Sequence, residues 1–183
     1  MEKSIGLLEL KSIPVGIETA DTVLKAANVE LLQACPVCPG KYVVIISGNV
    51  GAVKSAMKRG HVAAGTFLVG EHIIENVHPS VPPAIVGTVD FGSVSSLGVV
   101  ETITALTSVR VGDIAAKAAN VRLMEIRLAR GLGGKGFVIL TGEVAAVRAA
   151  IKSAVATLGE AGEITSTCVI AAPHKGIIDK LSN

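Results

Sequence analysis

Apolar positions along this chain alternate between short continuous runs and a spacing of three to four residues. Ile5 to Ile13 is apolar and β-prone, and Pro14 then suits the first turn of a helix, where no N–H donor is needed. Ala20, Val23, Leu24 and Ala27 follow at helical spacing, and Asn28 ends that segment. Val29 to Ala34 begins a second strand, and Tyr42 to Ser47 is an apolar run of buried-strand length. Asn49 is placed to cap a second helix whose inner face would hold Val50, Val53 and Met57. Val144, Val147, Ile151 and Val155 repeat that inner face later in the chain. Phe67 to Val77 and Ile164 to Ala171 read as the closing strands. The predicted order is strand, helix, strand, strand, helix, strand, twice over. That order belongs to the α+β class, with two helices on one face of a mostly antiparallel sheet.

The doubling is visible residue by residue. At a shift of 92, Gly6, Glu9, Asp21, Lys25, Ala26, Ala27, Asn28, Val29 and Leu31 have identical partners at Gly98, Glu101, Asp113, Lys117, Ala118, Ala119, Asn120, Val121 and Leu123. The shift then becomes 94, and Gly40, Lys41, Val44, Ile45, Gly48, Val50, Ala52, Val53, Ala56 and Lys58 match Gly134, Lys135, Val138, Ile139, Gly142, Val144, Ala146, Val147, Ala150 and Lys152. A repeat this long is a duplicated domain, not a solenoid unit. The polar, glycine-bearing stretch Gly87 to Ser96 marks the boundary, giving domains 1–90 and 91–183. The change of shift places a two-residue length difference between Leu31 and Gly40. The scaffold was kept in both copies while one loop diverged, Ala34 to Lys41 against Leu128 to Lys135, and a diverged loop on a retained scaffold points to use.

Half of the 183 residues are hydrophobic and 17% are charged, which suggests extra burial in subunit interfaces. No uninterrupted apolar run approaches the roughly 18 to 20 residues that span a bilayer. The opening Met1-Glu2-Lys3-Ser4 lacks the pattern of a secretory leader, so a cytoplasmic location is expected. A net charge of +2 and 2% aromatic residues offer neither an electrostatic field nor a stacking platform for nucleic acid.

The diverged loop of the first half reads Ala34-Cys35-Pro36-Val37-Cys38-Pro39-Gly40-Lys41. Two cysteines at this spacing can hold a metal, form a redox pair or lie in a tolerated loop. A dithiol oxidoreductase using Cys35 and Cys38 would place the attacking thiol at a helix N-terminus, where the dipole lowers its pKa, whereas here a strand follows. A ligand-binding regulatory protein would show a polar cleft, which the apolar composition does not favour. Cys168, in Thr167-Cys168-Val169-Ile170, is expected to pack in the core as a small hydrophobe. Gly131, Gly133, Gly134 and Lys135 lack the Ser or Thr of a phosphate loop, because Gly136 follows. His61, His72, His78 and His174 show no metal spacing, and Lys54, Lys58, Arg59 and His61 form a basic helix end expected to be a solvated face.

Gly6-Leu7-Leu8-Glu9, Asp21 with Lys25-Ala26-Ala27-Asn28-Val29-Glu30-Leu31, and Gly48-Asn49-Val50-Gly51-Ala52-Val53, with their copies in the second half, resemble bacterial microcompartment shell domains. The resemblance implies two ferredoxin-like domains in non-permuted order and a non-enzymatic protein of the compartment shell. It further implies a homotrimer that imitates a hexagon and tiles with other shell proteins. Lys25, Asn28, Lys117 and Asn120 would then lie at tile edges. Val37, Cys38, Pro39 and Gly40, together with Gly131, Leu132, Gly133 and Gly134, would line the central opening. The Val37-Cys38-Pro39-Gly40-Lys41 stretch is similar to that of tandem members in which one cysteine per subunit binds a 4Fe-4S cluster on the three-fold axis. On that likeness Cys38 is the ligand, and the cluster would pass electrons across the shell or be held for supply to an enzyme inside, with encapsulated redox enzymes or an external electron donor as partners. Cys35 departs from the pattern and is read as a bystander, a neighbour of the site or an alternative ligand.

Overall fold

Ser12 ends the first strand sooner than the apolar run does. Its hydroxyl accepts the Val15 N–H at 3.5 Å, so Ile13 becomes the first residue of a helix instead of the last of a strand. In the computed structural model, which describes residues 3–90 and 92–181, the first sheet is built from β1 (Ser4–Leu10), β2 (Glu30–Val37), β3 (Lys41–Gly48) and β4 (Leu68–Ile74). Their spatial order is β2-β3-β1-β4, and the pairings of β1 with β3 and β4, and of β2 with β3, are antiparallel. Helices α1 (Ile13–Ala26) and α2 (Val50–Ala64) cover one face. A short 3₁₀ turn, Gly65–Phe67, takes Phe67 out of the expected closing strand.

The second copy repeats this plan. A short helix α3 (Val81–Val86) comes first, and residues 87–96 form neither helix nor strand where described. Then β5 (Leu97–Thr102), α4 (Ala105–Ala118), β6 (Val121–Leu128), β7 (Gly136–Gly142), α5 (Val144–Leu158) and β8 (Ile164–Ile170) form a sheet in the order β6-β7-β5-β8. Helix α6 (Lys175–Leu181) follows. Two compact units result: residues up to Val77 with Leu128–Gly134, and His78–Arg127 with the residues from Lys135 onward. The protein is thus α+β, with two antiparallel four-stranded sheets each carrying helices.

In the first unit the layer between sheet and helices contains Leu8, Leu10, Val23, Tyr42, Val44, Ile46, Val53 and Met57. Removing each large apolar side chain from water stabilises the unit by about 1.5–3 kcal/mol. The opposite side of the strands is also buried, with Ile5, Leu7, Val43 and Ile45 all at 0% exposure. The retained glycines set the helix-to-sheet distance. A Cβ on Gly6 would lie 2.6 Å from Met57 Sδ, and one on its copy Gly98 would lie 2.7 Å from Val147 Cγ1. Asn49 caps α2 as expected, its side chain accepting the Ala52 N–H at 2.8 Å.

Three packing expectations change. Val50 is 41% exposed and Val155 40%, and Val144 is half-buried, so the inner faces of α2 and α5 run instead through Val53, Ala56 and Met57 and through Val147, Ala150 and Ile151. Cys168 is exposed, not in the core, because β8 is an edge strand whose residues 165–168 are exposed on both of its faces. Among the described residues no helix is long and apolar enough to cross a membrane.

Candidate functional site

Cys35 and Cys38 do not share a turn. Strand β2 continues through Val37, so Cys35 lies within the ladder opposite Val43 and is 3% exposed. The turn is Cys38-Pro39-Gly40, closed by the pairing of Val37 with Lys41, and Gly40 takes φ +79°, a conformation that glycine adopts without steric cost. Cys38 is partly buried at the tip of this hairpin. Pro39 follows it with a cis peptide bond and offers no N–H to the turn.

The long loop after β6 belongs to the same compact unit and packs on this turn. The Cys38 N–H donates to the Ala129 carbonyl at 3.1 Å. A Cβ on Gly134 would sit 3.5 Å from both the Cys38 carbonyl oxygen and Pro39 Cδ. The loop bends through positive φ at Ala129 (47°), Gly131 (72°), Gly133 (61°) and Gly134 (96°), which accounts for three glycines in four positions. Of the residues predicted around an opening, Cys38, Pro39 and Gly134 are in direct proximity, while Gly131 and Gly133 are exposed and Leu132 is half-buried. The two-residue length difference now has a location, since three residues separate Val37 from Lys41 and five separate Ala129 from Lys135.

Cys35 faces a different environment. The Gln33 side-chain amide lies 3.3 Å from its sulfur. Oriented so that both ends are satisfied, this amide donates to the Leu32 carbonyl and accepts from Arg130 Nη2 at 3.1 Å. Its oxygen then faces Cys35, whose thiol can donate to it. Tyr42, in the next strand, has its phenol pushed above the usual range by burial, with the Cys35 thiolate raising it further. A buried thiol of this kind matches the bystander reading more closely than that of an exposed nucleophile.

Behind the turn, Lys41 Nζ reaches Glu9 Oε1 at 2.8 Å, with the Glu9 side chain 2% exposed and Lys41 24%. The second unit carries the same pair between Lys135 and Glu101 at 3.0 Å, exposed at 50% and 37%. Glu101 also accepts from Thr165 Oγ1 at 2.6 Å, and that bond, followed by the one from Lys135, holds its carboxyl below the usual range.

At the far ends of α1 and α4, Lys25 pairs with Asp21 at 2.6 Å and Lys117 with Asp113 at 2.7 Å. Asn28 and Asn120 are exposed, and a Cβ on Gly142 would sit tightly, 3.1 Å from the Asn120 carbonyl, while one on Gly48 would lie 3.4 Å from that of Asn28. At the basic end of α2, Lys54 pairs with Glu75 at 2.6 Å and the His61 ring lies 2.9 Å from Glu71, while Lys58 and Arg59 are exposed. Sequence reasoning missed His78 and His174, whose ring nitrogens accept the N–H two residues on, from Ser80 at 3.3 Å and Gly176 at 3.1 Å, where α3 and α6 begin. Histidine is not among the usual capping residues, so only its recurrence before both helices could have signalled this. Among the described residues no group of three or more His, Cys, Asp or Glu converges within the chain.

The BMC domain profile matches twice, over residues 4–77 and 96–173. The chain is 39% identical over 177 residues to the bacterial microcompartment shell protein PduT of Citrobacter freundii, covering 97% of this chain and 96% of that one. It is 38% identical over 84 residues to the shell protein PduA of the same organism, which spans 44% of this chain and 88% of PduA. The crystal structure of a microcompartments protein from Desulfitobacterium hafniense DCB superposes with a TM-score of 0.94 at 42% identity, over 98% of this chain and 99% of that one. Full-length likeness to a two-domain relative, half-length likeness to a single-domain one and a family match in each half agree: the chain belongs to the bacterial microcompartment shell proteins and carries the BMC domain twice.

Proposed function

We propose that this shell component assembles as a homotrimer in which the Cys38 thiolates of three copies together hold a 4Fe-4S cluster. The observation that carries the reading is the placement of Cys38. It lies partly buried at the tip of a three-residue turn. The donor chemistry fits, since thiolate is the soft ligand that iron–sulfur iron takes. Pro39 and Gly40 keep the turn short, and the Cys38 N–H is tied to Ala129, which fixes the backbone that presents the sulfur. When bound, such a cluster would supply one-electron transfer for electron passage across the shell, or would itself be held for delivery to an enzyme inside. Lys25, Asn28, Lys117 and Asn120, all exposed, would meet neighbouring shell proteins at the tile edges. The turn and the loop from Gly131 to Gly134 would line the central opening.

The competing dithiol oxidoreductase reading is weakened by Cys35, which is buried in a strand with no helix N-terminus behind it. Anaerobic purification with iron and sulfide assays and electron paramagnetic resonance separates the two. The cluster reading expects Cys38→Ala to lose the iron and Cys35→Ala to keep it. A dithiol enzyme would bind no iron, and both variants would lose thiol–disulfide exchange activity.

A further inference from the structure

Helix α2 and the edge strand β4 frame a cleft of about 670 Å³ in the first unit. Its wall is mostly apolar, with Met57 and Val62 on the helix side and Ile73 on the strand side. A concave, largely apolar site of this size that carries a few polar groups suits a small molecule.

The polar groups follow from two periodicities. Lys54, Lys58 and His61 stand at i, i+4 and i+7 and therefore share one side of α2. Across the cleft, Glu71 and Ile73 pair with Leu8 and Gly6 of β1, so they lie on the side of the sheet that α2 covers. Glu75 comes just past the end of β4. Both ends of the helical row are matched, since Lys54 Nζ lies 2.6 Å from Glu75 and the His61 ring 2.9 Å from Glu71. The middle is not. Lys58 lines the cleft and makes no ion pair among the described residues, and the strand residue midway between the two carboxylates is Ile73.

The second half shows which parts belong to the scaffold. At the shift of 94, Lys54, Lys58 and His61 correspond to Arg148, Lys152 and Val155. Glu71 pairs with Leu8 as Thr167 does with Val100, so Thr167 is the counterpart of Glu71. The lysine row thus has a cationic copy, whereas the His61–Glu71 bridge from helix to strand belongs to the first half alone. That bridge ties the two walls of this cleft together. An ammonium beside an apolar wall, with carboxylates to either side and none opposite, accepts one negative charge. A carboxylate supplies one, while a dianionic phosphate would bring excess charge towards Glu71 and Glu75.

We propose that the cleft between α2 and β4 binds a small monocarboxylate with an apolar chain, its carboxylate on Lys58 Nζ and its chain along Met57, Val62 and Ile73. The site goes beyond the shell reading and depends on neither the trimer nor the cluster.

Isothermal titration calorimetry of the full chain with hexanoate, heptanoate and octanoate tests it. One site per chain is expected, tightening about fourfold for each methylene laid on the apolar wall. Octan-1-ol, which lacks the charge, should bind the wild type at least about tenfold more weakly than octanoate. Lys58→Met should weaken octanoate by a similar factor and bring it level with the alcohol. Lys152→Met, which alters the exposed copy on α5, should leave octanoate binding unchanged. Val62→Asp, at a position 71% exposed and so tolerant of charge, should remove the dependence on chain length. Absence of octanoate binding, an affinity unmoved by Lys58→Met, an equal loss in Lys152→Met, or tighter binding of octyl phosphate than of octanoate overturns the proposal.

Discussion

Glu9–Lys41 and Glu101–Lys135 are the same ion pair in two copies of one fold, and they should respond differently to the same change. Lys41→Met removes the ammonium while keeping most of the apolar stem, and leaves the Glu9 carboxylate at 2% exposure without its cation. Breaking a buried pair by removing one partner costs about 3–5 kcal/mol, and the 24% exposure of Lys41 places this case at about 3 kcal/mol. Lys135→Met removes an ammonium that is 50% exposed from a carboxylate that is 37% exposed and still holds Thr165. Exposed pairs contribute about 0–1 kcal/mol, so this variant should fall within that range. Urea unfolding followed by circular dichroism gives both values under one set of conditions, and Tyr42, the single tyrosine, adds a probe confined to the first unit. Glu9→Gln combined with Lys41→Met should recover much of the loss, because the stranded charge is gone. Equal effects of the two lysine variants, or a Lys41→Met cost below about 1 kcal/mol, would refute the reasoning from burial.

Gly16→Ala should destabilise by about 1–3 kcal/mol despite the better helix propensity of alanine, since its Cβ would meet the Tyr42 side chain at 2.5 Å, whereas exposed Gly51→Ala, whose nearest neighbour is Asn49 Oδ1 at 3.6 Å, should stabilise by about 0.5–1 kcal/mol; thermal melts compare them. Alkaline titration at 295 nm should show Tyr42 ionising above the usual phenol range near 10, and Cys35→Ser should move it back towards that value. Because the folded state resists forming this phenolate, its contribution to stability is complete below the ordinary phenol pKa and is lost as pH rises through the raised one. Glu101 has the opposite sign: its contribution is complete above the ordinary carboxylate range near 4.3 and is lost as pH falls through the lowered value, so Thr165→Val should shrink the acid limb of a stability–pH curve.

Much of this architecture was legible in the sequence because the duplication prints every constraint twice. Gly6 and Gly98 persist where a side chain would collide, and Asn49 caps its helix as its residue type and position predict. Local signals failed where tertiary surroundings decide. Ile13 is apolar enough for a strand, yet the Ser12 cap turns it into a helix. The strand through Cys35 to Val37 ran past a proline because its ladder with β3 holds that far, so the pair of cysteines separated into a buried strand thiol and a turn thiol. Cys168 has core-like neighbours in sequence but lies on an edge strand, a fact that belongs to sheet order and not to any single strand. Family resemblance sets Gly131 to Gly134 around the same opening as the cysteine turn, and only the fold supplies the Cys38-to-Ala129 hydrogen bond that joins the two loops.

The most direct test of the account is the iron content of anaerobically purified protein, measured together with its mass, for the wild type and Cys38→Ala. The account predicts about four irons for every three chains in the wild type, and in the variant an intact assembly without them. Iron retained undiminished after Cys38→Ala would contradict it.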